Sequence, residues 1–269
     1  MPVIDPRFID IDFPSQQQYV FGYTGEVDDG RMRTRYEDAV DIIPQSKWKD
    51  EIARIEAEHS GIENLVTRVY NQQNEGSCVA NACSQAHEIN QARQFGRDRV
   101  VHLSAISLYQ FIGSSPNSGA NINDGLDEGT DKGIVPLDDE ANRKLFGAIV
   151  MPNIGFRTKR PQGWEQVAAQ FSFDERYIIK SKAELITAGI NGDPVVVGRA
   201  GHSICYLRPT YSSSSLLYMY VNSWGNWGTA AGNLQYGIGY DSDRYINSSA
   251  GYCFAIRSVK VPDHLALAL

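Results

Sequence analysis

The chain has 269 residues, of which 42% are hydrophobic and 21% are charged, and its formal net charge is −7. This composition is ordinary for a globular protein with a sizeable core. No part of the sequence gathers the stripe of lysine and arginine that phosphate binding requires, so nucleic acid is not expected as a partner. The four cysteines are too few and too scattered for a disulfide framework, which suits a reducing compartment or a fold without bridges.

The N-terminal segment contains proline, glycine and alternating acidic and aromatic residues without a sustained helical or strand period. We predict that residues 1–41 form an extended arm that wraps the main domain, residues 42–269. The chain begins with acidic residues where a secretory signal would be basic and then apolar. Because no stretch reaches membrane-spanning length, neither a signal peptide nor a membrane contact is expected.

Three helices are predicted in the first half of the main domain, where apolar residues recur at three- and four-residue steps. They cover Trp48–Glu58, the segment from Cys78 to just before Gly96, and Leu103–Gly113. Residues 114–133 are rich in turn-forming residues and are predicted to form a long loop. Loops of that length are usually functional or mobile.

The pattern changes after about residue 150 to short runs of β-branched and aromatic residues separated by turns. One helix, with the sequence KAELITAGI, interrupts these runs. The main domain therefore divides into a mainly helical half, about residues 42–148, and a mainly β half, about residues 149–269. No internal repeat is present.

Cys78 is the first candidate for chemistry, because a helix N-terminus and a nearby imidazolium lower the pKa of a thiol. Alone, a cysteine is more often a small buried hydrophobe. Its surroundings are distinctive, since Gly76 and Ser77 stand immediately before it and Gln72 stands six positions before it. A side-chain amide and the nucleophile's own N–H can then converge on a developing oxyanion.

His202 and Asn222 are the other candidates. His202 stands at the head of an apolar run, after Gly201, and the remaining four histidines have no comparable context. Asn222 opens the segment NSWGNWG, in which Trp224 could shield a hydrogen bond from the Asn222 amide to an imidazole. Taken separately, a strand histidine is more often structural, and NSWGNWG would be an aromatic-rich turn.

A metal site on the Cys78 helix is disfavoured. At about 100° per residue, the side chains of Cys83 and His87 point roughly 140° and roughly 180° away from that of Cys78. The three groups therefore do not converge, and no metal or other cofactor is expected.

The three motifs, in this chain order, resemble those of the papain-like cysteine peptidase family. That family has a Gln six positions before a Gly-Ser-Cys-aromatic-Ala element, then a Gly-His-Ala-Val strand, then Asn-Ser-Trp-Gly. The resemblance runs from about Ile43 to the C-terminus and is nearer to compact bacterial or viral enzymes than to cathepsins. Two departures are Glu75, where the family usually has a disulfide cysteine, and Val79, where it has an aromatic residue.

The resemblance implies an α+β papain-like fold, with a helical left half, an antiparallel β right half and the active-site cleft between them. It implies that Cys78 is the nucleophile, His202 its base, Asn222 the residue that orients the base, and Gln72 an oxyanion donor. It also implies substrate-binding roles, which fall on Gly76, Ser77, Gly129, Gly201 and Trp224. For Gly129, in a glycine-rich segment that would pair with the substrate residue two before the cut, an acidic surface turn is an equal alternative.

The implied reaction is hydrolysis of polypeptide substrates through a thioester, without a cofactor. Two alternatives stay open on the sequence. One is acyl transfer to an amine by the same Cys-His-Asn site. The other is a silent or latent papain-fold protein that contacts a larger assembly through its N-terminal arm. The expected location is the cytoplasm or a viral or phage particle.

Overall fold

The computed structural model describes residues 4–16, 18–26, 29–249 and 253–266. The helices in these ranges are α1 (Tyr36–Ala39), α2 (Gln45–Glu58), α3 (Cys78–Phe95), α4 (Ala105–Ile112), α5 (Ile122–Asp131), α6 (Glu140–Phe146), α7 (Trp164–Ala168), α8 (Lys182–Ile190), α9 (Asp243–Ser249) and α10 (Asp263–Ala266). The strands are β1 (Phe173–Ile179), β2 (Val195–Arg199), β3 (His202–Ser212), β4 (Ser215–Val221), β5 (Thr229–Ala231), β6 (Leu234–Ser242) and β7 (Cys253–Val259). Within the described ranges, no helix is long and apolar enough to cross a membrane.

Helix α3 is the centre of the helical half. Its residues from Cys78 to Ala92 are all buried, which is typical of a helix enclosed on every side. Several of the polar side chains on it are paired, as burial favours, although Ser84 Oγ and Gln85 Nε2 have no partner among the described residues. The Glu88 carboxylate, for example, accepts hydrogen bonds from the Tyr70 hydroxyl at 2.6 Å and the Leu103 N–H at 2.7 Å.

The β half is a seven-stranded antiparallel sheet in the order β1-β7-β2-β3-β4-β6-β5. Alternate side chains of its central strands enter two separate hydrophobic clusters. In β2, Val196 belongs to the cluster that contains α3, whereas Val195 and Val197 belong to the cluster that contains α2 and α8. The centre of the sheet is therefore covered on both faces, and its strands are continuously apolar for that reason.

The described part of the N-terminal segment crosses from the sheet to the helical half. Ile9 forms a bridge with Tyr240 of β6, and Tyr23 forms one with Ala120, just before α5. Between these bridges, Phe13 is completely buried. The segment thus passes directly over the boundary between the two halves of the domain.

Helix α5 corrects the prediction of a continuous loop over residues 114–133. The Asn121 side chain caps it by accepting a hydrogen bond from the Asp124 N–H at 2.7 Å. Its buried face is Ile122, Gly125, Leu126 and Gly129, which is helical spacing. Two of those four residues are glycines, so the apolar period is weak in the sequence although the helix forms.

Candidate active site

Cys78 is the first residue of α3 and is completely buried. The segment that leads into this helix is tightly packed. Its Gly76 N–H donates to the Pro116 carbonyl oxygen at 2.8 Å. A Cβ at Gly76 would lie 3.2 Å from Asn117 and Gly119, which is tighter than ordinary contact. Ser77 is held by Asn81, whose Nδ2 donates to the Ser77 hydroxyl at 3.0 Å. These contacts fix the position of the thiol at the helix N-terminus.

His202 is set beside the cleft by a tight hairpin between β2 and β3. The two turn residues, Ala200 and Gly201, have φ of 49° and 79°, which is typical of a type I′ turn. The turn makes His202 the first residue of β3, paired with Arg199. The glycine serves this conformation, and its carbonyl oxygen is left facing the cleft.

Asn222 follows β4, the neighbour of β3, and fixes the tautomer of His202. Asn222 Oδ1 lies 2.8 Å from His202 Nε2 and also accepts the Ser223 N–H at 2.7 Å. Because that oxygen is an acceptor, Nε2 must carry the imidazole hydrogen. The other ring nitrogen, Nδ1, therefore has a free lone pair, and it has no hydrogen-bond partner in the part of the chain that the structure describes.

Trp224 covers the His202–Asn222 pair. Its ring stacks on the His202 ring, with centroids 4.6 Å apart and an interplanar angle of 26°. Phe13 of the N-terminal segment packs edge-on against both rings, at 4.9 Å from His202 and 5.4 Å from Trp224. These rings exclude water from the hydrogen bond, which strengthens it.

The Gln72 amide is oriented by the segment that follows Asn222. The Ser223 hydroxyl donates to Gln72 Oε1 at 2.6 Å, and the Gln72 N–H donates to the Ser223 carbonyl oxygen at 2.9 Å. Since Oε1 is an acceptor, Nε2 is the donor of this amide. It donates to the carbonyl oxygens of Glu75 at 2.9 Å and Val20 at 3.0 Å. An NH₂ group beside the nucleophile is what an oxyanion donor requires.

Residues 18–24 of the N-terminal segment, which we call the strap, lie in the cleft. At one end the Val20 carbonyl oxygen takes the Gln72 amide, and the Tyr19 ring stacks on Trp224 at 4.0 Å. In the middle, the Gly22 N–H donates to the Cys78 sulfur, as does the Ser203 N–H beside the base. The strap thus directly contacts Cys78 and Gln72, the candidate nucleophile and the candidate oxyanion donor.

The other end of the strap pairs with the two walls of the cleft through its backbone. The Tyr23 N–H donates to the Gly201 carbonyl oxygen at 2.9 Å. The Ala120 N–H donates to the Gly22 carbonyl oxygen at 2.7 Å, and the Thr24 N–H donates back to the Ala120 carbonyl oxygen at 3.0 Å. Ala120 and Gly201 are therefore the cleft's backbone contacts for an extended chain.

The covered site is electrically neutral. Burial raises the pKa of the Cys78 thiol to about 12, although the N–H groups that point at its sulfur favour the thiolate. Burial also lowers the pKa of His202 to about 4; its hydrogen bond to Asn222 opposes this shift, and the charge of Arg199 adds to it. At neutral pH the Cys78 thiol under the strap is therefore protonated and the His202 imidazole is uncharged.

Gly129 is not part of this arrangement, which corrects its predicted substrate-binding role. It lies inside α5, where a Cβ would be 2.5 Å from the Phe173 ring, so it serves helix packing. A residue this far along a helix donates its N–H to the carbonyl oxygen four residues earlier, so that N–H is not available to an extended chain. Ala120 makes that backbone pairing instead. The sequence marks Ala120 only by the turn-rich run that precedes it and ends at Gly119.

The remaining predicted residues surround the strap, namely Cys78, His202, Asn222, Gln72, Gly76, Ser77, Gly201 and Trp224. Glu75, which departs from the family pattern, holds a neighbouring loop, because its carboxylate accepts the N–H groups of Gly155 and Phe156 at 3.1 and 2.9 Å. Cys78, Cys83 and Cys205 are free thiols. The described residues contain no cluster of three or more His, Cys, Asp or Glu side chains that could hold a metal ion.

Comparison with solved structures identifies the fold as that of papain-like cysteine proteases, which confirms the α+β fold predicted from the sequence. The chain is similar to xylellain, a cysteine protease from Xylella fastidiosa, at 18% identity and a TM-score of 0.58, covering 90% of this chain and 97% of that one. Procathepsin B S9 from Trypanosoma congolense is similar at 8% identity and a TM-score of 0.59, covering 93% and 90%. Procathepsin L 3 from the larval midgut of Tenebrio molitor is similar at 17% and 0.52, covering 74% and 68%.

These identities are low, so the likeness concerns the fold. No family model matches the chain, and no curated protein sequence does either.

Proposed function

We propose that this protein is a cysteine peptidase that hydrolyses peptide bonds through a thioester on Cys78, and that the strap holds it in a latent form. The observation that carries the proposal is the 2.8 Å contact between His202 Nε2 and Asn222 Oδ1. It leaves Nδ1 as an unprotonated base on the strand whose next residue, Ser203, hydrogen-bonds to the thiol. A base with a fixed tautomer beside a thiol at a helix N-terminus is the arrangement that activates a cysteine.

The reaction follows from these positions once the strap has left. The Cys78 thiol passes its proton to His202 Nδ1, and the thiolate attacks the substrate carbonyl carbon. The oxyanion accepts hydrogen bonds from Gln72 Nε2 and the Cys78 N–H. The imidazolium then protonates the leaving amine, and the thioester remains. Water, deprotonated by His202, releases the acid and restores the thiol.

A polypeptide is the substrate class that fits the cleft, because the strap is itself an extended polypeptide bound there through its backbone. Ala120 offers both an N–H and a carbonyl oxygen to it, and Gly201 offers a carbonyl oxygen. These contacts do not depend on side chains, as expected for a cleft that accepts many peptide sequences.

The strap is bound as an inhibitor and not as a substrate. Attack requires a carbonyl carbon at the sulfur, whereas the group that faces Cys78 is the Gly22 N–H. The carbonyl group that takes the Gln72 amide belongs to Val20, two residues earlier. The strap therefore covers both catalytic elements without presenting one peptide bond to them together. Because all the candidate catalytic residues are present beneath the strap, we propose a latent enzyme and not a permanently silent protein.

Hydrolysis of internally quenched peptides by the Gly22→Ala variant of the full chain tests the proposal. A Cβ at Gly22 would lie 1.9 Å from the Gly76 carbonyl oxygen, so the substitution should displace the strap. We expect hydrolysis by this variant, none by Gly22→Ala/Cys78→Ala, and little by the unsubstituted chain. Mass analysis of the products separates hydrolysis from transfer to an added amine. A folded Gly22→Ala protein that cleaves no peptide of a mixed library would refute the proposal.

A further inference from the structure

A small buried cavity lies between helix α3 and the part of the sheet that carries His202 and Asn222. It offers about 10 Å³ to the centre of a water molecule, which is about the space that one water needs. On the helix side it is lined by Asn81, Ala82 and Gln85, whose spacing of three and four residues places them on one face of α3. On the sheet side the lining includes Ser203 and Asn222.

Three polar side chains on this lining each have one atom without a hydrogen-bond partner among the described residues. The atoms are Gln85 Nε2, Ser203 Oγ and Asn222 Nδ2. The three residues are only 3%, 0% and 2% exposed, so solvent does not pair with them. A buried amide or hydroxyl without a partner destabilises the fold. A water molecule among three such groups would make the number of hydrogen bonds that is typical of buried water.

The Asn222 amide connects this cavity to the base. Its Oδ1 lies 2.8 Å from His202 Nε2, and its Nδ2 is the donor that has no described partner. Rotation of the amide by 180° would exchange these two atoms and would set a donor against the donor Nε2 of His202. An acceptor held at Nδ2 opposes this rotation, and a water molecule in the cavity supplies one.

The helix side of the cavity is connected to the nucleophile. Asn81, one turn before Gln85, donates from its Nδ2 to the Ser77 carbonyl oxygen at 2.8 Å and to the Ser77 hydroxyl at 3.0 Å. Ser77 immediately precedes Cys78. A water shared by Gln85 and Asn222 would therefore join the helix that presents the thiol to the residue that orients the imidazole.

We propose that this cavity binds one water molecule, and that Gln85 is a positioning residue which, through that water, holds the Asn222 amide in the orientation that His202 requires. The water accepts hydrogen bonds from Gln85 Nε2 and Asn222 Nδ2 and donates one to Ser203 Oγ. This inference rests on the proposed function, because it concerns the same pair of His202 and Asn222.

Kinetics of the full chain with Gly22→Ala test the positioning role. Gln85→Leu removes the amide and keeps much of the side-chain volume, so kcat should fall by about tenfold, an effect within the range of one hydrogen bond. KM should stay within about twofold, because Ala120 and Gly201, which hold the strap in the cleft, do not line the cavity. Ser203→Ala should also lower kcat, and it is the second variant if Gln85→Leu folds poorly.

The matched control for Ser203→Ala is Ser84→Ala. Ser84 is also completely buried on α3, and its Oγ also has no partner among the described residues, but it does not line the cavity. Removing this hydroxyl should leave kcat within about twofold. An equal fall of kcat in the two variants would mean that any buried polar deletion near α3 slows the enzyme, and the positioning role would be wrong.

Two measurements on the chain without Gly22→Ala separate this inference from the proposed function. A crystal structure should show one water within hydrogen-bonding distance, about 3.2 Å, of the three atoms. In ¹⁵N NMR, with His202→Ala to assign the signal, Gln85→Leu should speed exchange of the His202 Nε2 hydrogen by about tenfold or more, and Ser84→Ala should not. These results would support the water site even if the Gly22→Ala protein hydrolyses nothing, which would count against the proposed function alone. A Gln85 amide bonded directly to Asn222 or Ser203 without a water, or unchanged exchange in folded Gln85→Leu, would overturn the inference.

Discussion

The Gly22→Ala substitution should raise the reactivity of Cys78 sharply. The added methyl carbon would lie 1.9 Å from the Gly76 carbonyl oxygen and 2.4 Å from its carbon, distances that real contacts do not reach. Because Gly76 belongs to the tightly packed entry into α3, the strap is the part that must move. Water then reaches Cys78, and the burial that raises its pKa to about 12 is relieved.

The size of the effect follows from the thiolate fraction. At pH 8 a thiol with a pKa of about 12 is about 10⁻⁴ thiolate, whereas a thiol at its ordinary pKa of 9.0 is about 10⁻¹ thiolate. The rate of alkylation by iodoacetamide at Cys78 should therefore rise by up to about 1,000-fold. The assay is the pseudo-first-order rate at Cys78, followed by peptide mapping because Cys83, Cys205 and Cys253 are also present.

A matched control is Gln18→Ala, which changes an exposed side chain in the same strap. It should leave the alkylation rate within about twofold of the unsubstituted chain, since surface substitutions change little. If Gly22→Ala unfolds at the same temperature as the unsubstituted chain and is alkylated at the same rate, the strap does not control the protonation of Cys78, and the reasoning fails.

Further predictions concern the catalytic groups, the anchor of the arm and the fold. In the Gly22→Ala background, Cys78→Ala and His202→Ala should each abolish peptide hydrolysis, because nucleophile and base act as a unit. Asn222→Ala should lower kcat less, because it misorients the imidazole without removing it. Phe13→Ala, by deleting a fully buried ring, should weaken docking of the arm by up to about 3–5 kcal/mol and speed alkylation of Cys78. Burial lowers the pKa of His87 to about 3, so below about pH 6.5 this side chain takes up a proton when the protein unfolds. The free energy of unfolding, measured with urea, should therefore fall between pH 7.5 and pH 5. That fall should be about 2 kcal/mol smaller in His87→Leu than in the unsubstituted chain.

Each of these has a clear contrary result. An active Cys78→Ala protein would remove the thioester mechanism. A loss in Asn222→Ala as complete as that in His202→Ala would give Asn222 a larger structural role. An unchanged alkylation rate in Phe13→Ala would mean that the strap holds without this anchor. Equal loss of stability between pH 7.5 and pH 5 with and without His87 would mean that other groups take up the proton.

The positions of the proposed catalytic residues in one cleft could be expected from the sequence, because each is fixed by local geometry. A short loop joins Gln72 to Cys78, the first residue of α3. Asn222 directly follows β4, the strand beside β3, which begins at His202. Such positions need particular side chains at particular spacings, and the sequence therefore records them.

The binding of the strap in the cleft, and the role of Ala120 in holding it, could not be predicted in the same way. Most of these contacts are made by the backbone. Val20 contributes a carbonyl oxygen, Gly22 an N–H, and Ala120 one of each. Many residue types could supply these groups, so the sequence carries little signal for them. Helix α5 was missed for a different reason, since its buried face uses Gly125 and Gly129 where larger apolar residues would show the period.

We propose that Cys78 is an activated nucleophile in a peptide-binding cleft that the strap closes. Intact-mass analysis after treatment with an epoxysuccinyl inhibitor at neutral pH, under reducing conditions, is a direct test of this proposal. We expect one adduct on Gly22→Ala, none on Gly22→Ala/Cys78→Ala, and slow or no modification of the unsubstituted chain. If none of the three folded proteins carries an adduct, or if an adduct persists without Cys78, the proposal is wrong.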